Sequence, residues 1–397
     1  EDRVKQAEEI ARAYKPIQTK EDNTIDLGTA KGREAMQRAF ESITNPIVHW
    51  PKQLGKFWNE QFYPGAFIAF LAPEKRGKTF ILIEIAMRAL KQGKKIAFFQ
   101  AGDMNENQFL KRIAVYLTRK NYSEKYCAVH YEPVRDCIKN QMDTCNKPER
   151  ESPYGIWDDL EEDEIRKKSM SELIEMSNSA TDYQPCYNCK DFDNEKLGIA
   201  FLKYNEAVEP LTKEEAVKAT RQFLKKYKGQ VKIKTYPNRT LTFDMLEADL
   251  DYWQETEGFV PDGILSDYID IMSSTLKSEL RHQENDKWMR GRQLSQKERA
   301  GVIPFFATVT QADAKSYKLN TIGLDNFSED KRKYGHVTAM YGLNQDKHNR
   351  EKKIGILRVN ELILREGEFT SDNQITLCQN LRQGRAFKQS YYGKPIF

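Results

Sequence analysis

The chain has 397 residues, 39% hydrophobic and 31% charged, with a formal net charge of +4. It is longer than one typical domain, and its composition is that of a globular protein with a well-solvated surface. So small a net charge carries no argument for nucleic-acid binding by itself, and the lack of any run of about 18 apolar residues predicts no bilayer span. The first residues, Glu1 to Val4, carry no apolar signal region, so a cytoplasmic chain is expected; its six cysteines then read as reduced thiols or metal ligands.

Residues 1–48 are charged and helix-prone. Val4, Ala7, Ile10, Ala11 and Tyr14 fall at helical spacing, a second helix is expected near Arg33–Ser42, and the segment reads as a helical arm or linker. Ala66–Leu71 is a short apolar run behind the turn signal Pro64-Gly65 and predicts a buried strand. The loop 72–79 follows, then a helix from Thr79 to Gln92 that Gly93 ends. Lys95–Gln100 is the next predicted strand and Asn105–Leu117 the next helix. This alternation predicts an α/β fold on a parallel-rich central sheet. Residues 127–210 break the rhythm: they hold five of the six cysteines and an acidic run, and read as an insertion. The α/β pattern resumes with Val231–Thr235, the helix Phe243–Thr256, Gly263–Asp267, a charged helix Asn285–Ala300 and Ile303–Thr308. Late strands are expected at Val337–Leu343, Ile354–Glu361 and Gln374–Cys378, so the core domain comprises 49–126 and 211–397.

The loop between the first strand and helix reads Ala72, Pro73, Glu74, Lys75, Arg76, Gly77, Lys78, Thr79. A phosphate-binding Walker A loop needs backbone N–H groups curled around phosphates, a Lys for the β/γ oxygens and a hydroxyl for Mg²⁺. Gly77, Lys78 and Thr79 supply the last three positions, and the strand before and helix after are the context that the motif demands. Apolar residues lead to Asp267 at the expected C-terminal end of a strand, the edge where α/β sheets bind ligands, so Asp267 is the candidate partner of Thr79 for Mg²⁺. Asp103 lies just past the strand Lys95–Gln100 and is the candidate base that orients the attacking water; it also fits as the N-cap of the next helix. Gln311, after Ile303–Thr308, is the candidate γ-phosphate sensor. In the insertion, Cys137, Cys145 and the C-x-x-C pair Cys186 and Cys189 suit a tetrahedral zinc site, with free cysteines as the alternative.

Together these residues resemble the C-terminal, RecA-like ATPase domain of DnaB-type replicative helicases. That family carries Ala at the first Walker A position, as Ala72 does here; Phe99 to Phe109 resembles its catalytic-Glu segment, with Asp103 in place of the Glu; Ser266 to Met272 resembles its Walker B segment, and Val309-Thr-Gln311 its Leu-Ser-Gln. The resemblance spans roughly residues 48–118 and 231–370. It implies ATP hydrolysis with Mg²⁺ coupled to translocation on single-stranded DNA, a homo-hexamer, replication partners, and a basic residue reaching a neighbour's nucleotide. Arg358 stands where the family has the Lys of that late strand, Asn360 replaces its Arg, and Arg365 is the substitute. Channel loops of such motors grip the DNA backbone, which singles out Lys315 and Lys318 after Gln311; Lys287–Arg292 and Lys331–Lys333 are also basic. No counterpart of the family's primase-contacting domain is expected, which suits a bacterial, viral or mobile-element motor. The competing readings are a RecA-paralogue-like DNA-binding switch and an adaptor with a structural ATP site.

Overall fold

The computed structural model describes residues 26–167, 182–186, 188, 198–326, 331–370 and 373–392; the expected stripe Val4 to Tyr14 and Cys189 lie outside them. The chain divides into two compact units, residues 1–45 and 46–397. The first contains the helix Ala30–Thr44, entered through a turn in which Thr29 Oγ1 donates to the Asp26 carbonyl at 2.7 Å.

The second unit is built on a nine-stranded sheet with a separate two-stranded hairpin. In chain order the strands are β1 (Phe67–Ala72), β2 (Ile96–Gln100), β3 (His130–Cys137), β4 (Gly198–Asn205), β5 (Val231–Thr235), β6 (Gly263–Asp267), β7 (Phe305–Gln311), β8 (Ala339–Asn344), β9 (Ile356–Leu364), β10 (Gln374–Asn380) and β11 (Arg385–Tyr392). The order across the large sheet is β11-β10-β9-β8-β1-β7-β6-β2-β5, and β3 pairs with β4. From β5 to β8 all neighbours run parallel; β9, β10 and β11 continue the sheet antiparallel. The principal helices are α1 (Lys78–Lys91), α2 (Glu106–Thr118), α3 (Lys213–Tyr227), α4 (Phe243–Glu257) and α5 (Leu280–Gln296).

β1 explains why its sequence is an unbroken apolar run. Ile68, Phe70 and Ala72 join one core with Ile81 and Ile85 of α1, while Phe67, Ala69 and Leu71 join a second core with Trp288 of α5. A strand covered on both faces needs apolar residues at every position. Each large side chain buried this way contributes about 1.5–3 kcal/mol. The helices start where the sequence offers a cap: Asn105 with Gln108 closes a capping box at α2, Thr212 with Glu215 another at α3, and Thr242 caps α4. Such caps contribute about 1 kcal/mol each.

The cysteine-rich segment is more regular than expected. Its hairpin, β3 with β4, is antiparallel and paired from His130↔Asn205 to Cys137↔Gly198. Glu132 fastens the hairpin to the late strands, pairing with Lys388 of β11 and accepting from Asn380 Nδ2 at 2.6 Å. Below it, the buried Asp136 carboxylate gathers Tyr183 Oη at 2.6 Å and the backbone N–H groups of Cys137 and Cys186, both at 2.8 Å. Among the described residues, no helix is long and apolar enough to cross a membrane.

Candidate functional site

Strand register brings the motifs together. Ala72, last residue of β1, lies opposite Gln311, last residue of β7, and Gln100 of β2 lies opposite Asp267 of β6. The C-terminal ends of four parallel strands therefore form one edge, and the loop 73–77 rises from it into α1. In that loop Lys75 has φ +60° and Gly77 φ +85°. A Cβ at residue 77 would adopt a conformation costing about 1–2 kcal/mol and would stand 3.3 Å from Leu381 Cδ1. Gly77 is the N-cap of α1 and offers no side-chain cap, and the first turn holds no acidic residue. The open N–H groups and the positive end of the helix dipole thus face the loop, the arrangement that binds phosphate. Arg76 is buried and donates to Gln345 Oε1 at 2.7 Å, and the Glu74 N–H donates to Tyr317 Oη at 3.0 Å.

Lys78 is the central cation. Its Nζ donates to Gln311 Oε1 and to the Ala72 carbonyl at 3.3 Å, and lies 5.3 Å from the centre of the Tyr268 ring. Burial pulls its pKa below the ordinary lysine value, against the opposing charges of Asp270, Asp267, Asp103 and Glu74. Thr79 Oγ1 donates to Asp267 Oδ2 at 2.8 Å. Asp267 is 1% exposed; burial pushes its carboxyl up to about 6, opposed by the Thr79 donation and reinforced by the nearby Asp103 charge. Asp103 is exposed and is not the cap of α2, because Asn105 takes that role. Its charge acts on Lys78, Asp267 and Tyr268, so it stands among them. Sequence reasoning passed over Asp270, whose Oδ2 accepts from Thr310 Oγ1 at 2.7 Å and from the Gln311 N–H at 2.9 Å. A second Asp three residues after Asp267 was the available signal.

Two expectations change. Arg358 does not project toward a neighbour: it is fully buried, paired with Glu351 Oε1 at 2.8 Å, and donates to the Asn320 carbonyl at 2.6 Å. Asn360 is buried beside it and donates to the Ile322 carbonyl at 3.2 Å, so both positions brace the stretch after the Lys315–Lys318 turn. Arg365 is exposed at the other end of β9, where its guanidinium donates to the Val337 carbonyl at 2.7 Å and to the Gly335 carbonyl. The basic surface read at Lys287 and Lys333 is likewise absent. Lys333 is 1% exposed, 3.1 Å from Glu284, and Lys287 is buried with its Nζ on the Asp270 carbonyl at 2.7 Å. Lys315 and Lys318 are exposed on the 3₁₀ turn Ala314–Lys318, the turn that carries Tyr317. Among the described residues no group of three or more His, Cys, Asp or Glu side chains is arranged to hold a metal. Cys137, Cys145 and Cys186 are not disulfide-bonded, and Cys189 lies outside the described residues.

No protein-family model matches the chain, and no curated protein matches its sequence. Solved structures do match its fold. The chain is similar to a solved ATPase domain of a DnaB-like replicative helicase, with a TM-score of 0.54 at 10% identity, covering 94% of this chain and 100% of that one. It is also similar to a DnaB-like replicative helicase described with its interactions with primase, with a TM-score of 0.53 at 11% identity, covering 96% of this chain and 70% of that one. At these identities the likeness is one of fold, and the fold is RecA-like α/β, shared with the ATPase domains of DnaB-like helicases.

Proposed function

We propose that the chain is an ATP-hydrolysing motor of the DnaB-like helicase type that translocates on single-stranded DNA. The observation that carries this reading is the convergence of Lys78, Thr79, Asp267, Asp103 and Gln311 at one sheet edge beside an open helix N-terminus. The loop N–H groups and Lys78 hold the β/γ phosphates. The adjacent oxygens of Thr79 and Asp267, 2.8 Å apart, are hard ligands of the kind that Mg²⁺ takes. When bound, the ion neutralises charge that develops on the phosphate oxygens. Asp103, exposed at the mouth, orients and deprotonates the attacking water, and Gln311 reads the γ-phosphate through its contact with Lys78.

Single-stranded DNA is assigned to the turn bearing Lys315 and Lys318, because Tyr317 of that turn touches the phosphate loop at Glu74. A homo-hexameric ring with replication partners completes the reading, and Arg365 is the residue assigned to the neighbour's nucleotide. It lies at the sheet edge opposite its own phosphate loop, where only another subunit's site is within reach. One zinc per chain, held by Cys137, Cys145, Cys186 and Cys189, belongs to the same reading. Its support is that the backbone N–H groups of Cys137 and Cys186 both donate to Asp136, which draws the two cysteine pairs together; metal analysis finding no zinc overturns it. The central test is ATP turnover with and without single-stranded DNA, alongside the mass of the nucleotide-bound assembly. Turnover that DNA accelerates and that Lys78→Ala abolishes upholds the motor. Turnover indifferent to DNA points to an adaptor, and DNA binding without unwinding to a switch.

A further inference from the structure

A cavity of about 440 Å³ adjoins the phosphate loop. Lys75, Arg76 and Phe80 form its floor from the loop and the first turn of α1, and Arg112 of α2 adds a side wall. The Arg112 guanidinium lies over the Phe80 ring at 5.2 Å. The facing wall comes from the inserted hairpin, through His130 and Tyr131 of β3. That wall is held in place: Glu132 pairs with Lys388 and Asn380, and Asn380 Nδ2 also lies 3.2 Å from His130 Nε2.

We propose that this cavity receives the base and ribose of the bound nucleotide, and that the hairpin, through Tyr131 and His130, sets nucleotide affinity and the choice of a purine. The inference rests on the phosphate-loop reading above. A triphosphate seated on the loop leaves its nucleoside end free to lie beside Lys75 and Phe80, where the cavity begins. The volume falls within the range of small-molecule sites, roughly 300–1,000 Å³. A flat base is matched by the guanidinium and aromatic faces of the cavity, which stack on it without needing a particular hydrogen-bond pattern. A purine offers the larger face and spans the width between α2 and the hairpin better than a pyrimidine. The insertion therefore belongs to the nucleotide site, although it lies in sequence between α2 and α3.

The test is calorimetric titration of the full chain with ATP, CTP and inorganic tripolyphosphate. The variants are Tyr131→Ala/His130→Ala, which leaves the Glu132 anchor untouched, and Lys78→Ala. The double variant is expected to bind ATP about tenfold more weakly and to lose its preference over CTP, with tripolyphosphate affinity unchanged. Lys78→Ala is expected to weaken ATP and tripolyphosphate alike. Wild-type ATP affinity and wild-type base preference in the double variant overturn the hairpin's role while leaving the phosphate site standing. Equal weakening of ATP and tripolyphosphate in the double variant also overturns it, because the hairpin then acts on the loop and not on the base. If Lys78→Ala leaves both ligands bound as before, the nucleotide reading falls, and the inference with it.

Discussion

Arg358→Ala separates a structural brace from a residue that acts on a neighbour. Arg358 and Glu351 are both 0% exposed and 2.8 Å apart, so removing the guanidinium leaves a buried carboxylate without its cation. Breaking one partner of a buried pair costs about 3–5 kcal/mol. At about 2.1 cal/mol/K per residue, 397 residues give an unfolding entropy of about 0.8 kcal/mol/K, so the midpoint should fall by about 4–6 °C. The lost bond to the Asn320 carbonyl should also loosen the stretch after the Lys315–Lys318 turn. The assays are thermal unfolding and ATP turnover per folded molecule. An unchanged midpoint with turnover reduced a thousandfold or more, the signature of a lost trans-acting arginine, would refute this account.

Asp103→Asn should keep ATP affinity within about twofold of wild type and lower single-turnover hydrolysis at least a hundredfold, the scale of general-base loss; unimpaired hydrolysis would move the base elsewhere. Asp267, with its carboxyl raised to about 6, is protonated below that pH and ionised above it. Mg²⁺-ATP binding should therefore release up to one proton at pH 5.5 and weaken by up to tenfold per unit as pH falls below about 6, yet stay flat above 7. Titrations in buffers of different ionisation heat measure this, and Asp267→Asn should abolish the proton release. Gly77→Ala should lower nucleotide affinity about tenfold, since φ +85° and the 3.3 Å approach to Leu381 both oppose a methyl group; wild-type binding by equilibrium dialysis would mean that the loop re-forms freely.

The parallel half of the sheet and its phosphate edge were legible because their signals are local. Apolar runs bounded by Gly and Pro mark β1, β2 and β6, and the spacing of Gly77, Lys78 and Thr79 is itself the motif. The hairpin β3–β4 was not legible, because its strands are separated by a long polar stretch and pair through residues such as Glu132, Arg135 and Asp136 that show no alternation. β11 was missed for a similar reason: Arg385–Tyr392 mixes polar and aromatic residues at a sheet margin. The misreading of Arg358 has a specific cause. A cation on a predicted strand reads as exposed, and its partner Glu351 lies on the preceding short helix Arg350–Ile354, which had no sequence signal. Asp270 was passed over because its value lies in two bonds to the end of β7, a neighbour 40 residues away in the chain.

The margin of the sheet at β5 bears on how copies of this protein meet. β5 is the terminal strand, and an unpaired strand edge is a template for another strand. Here the edge is Val231 to Thr235, with lysines at 232 and 234 tethered to Glu257 and Asp249 of α4. Two fixed cations along so short an edge repel an identical edge and discourage β-augmentation by an incoming chain. Association through this flank by sheet extension is thereby disfavoured, and any ring must be knit through loops and helix faces, a mode of contact that can loosen and re-form as nucleotide turns over without tearing a sheet.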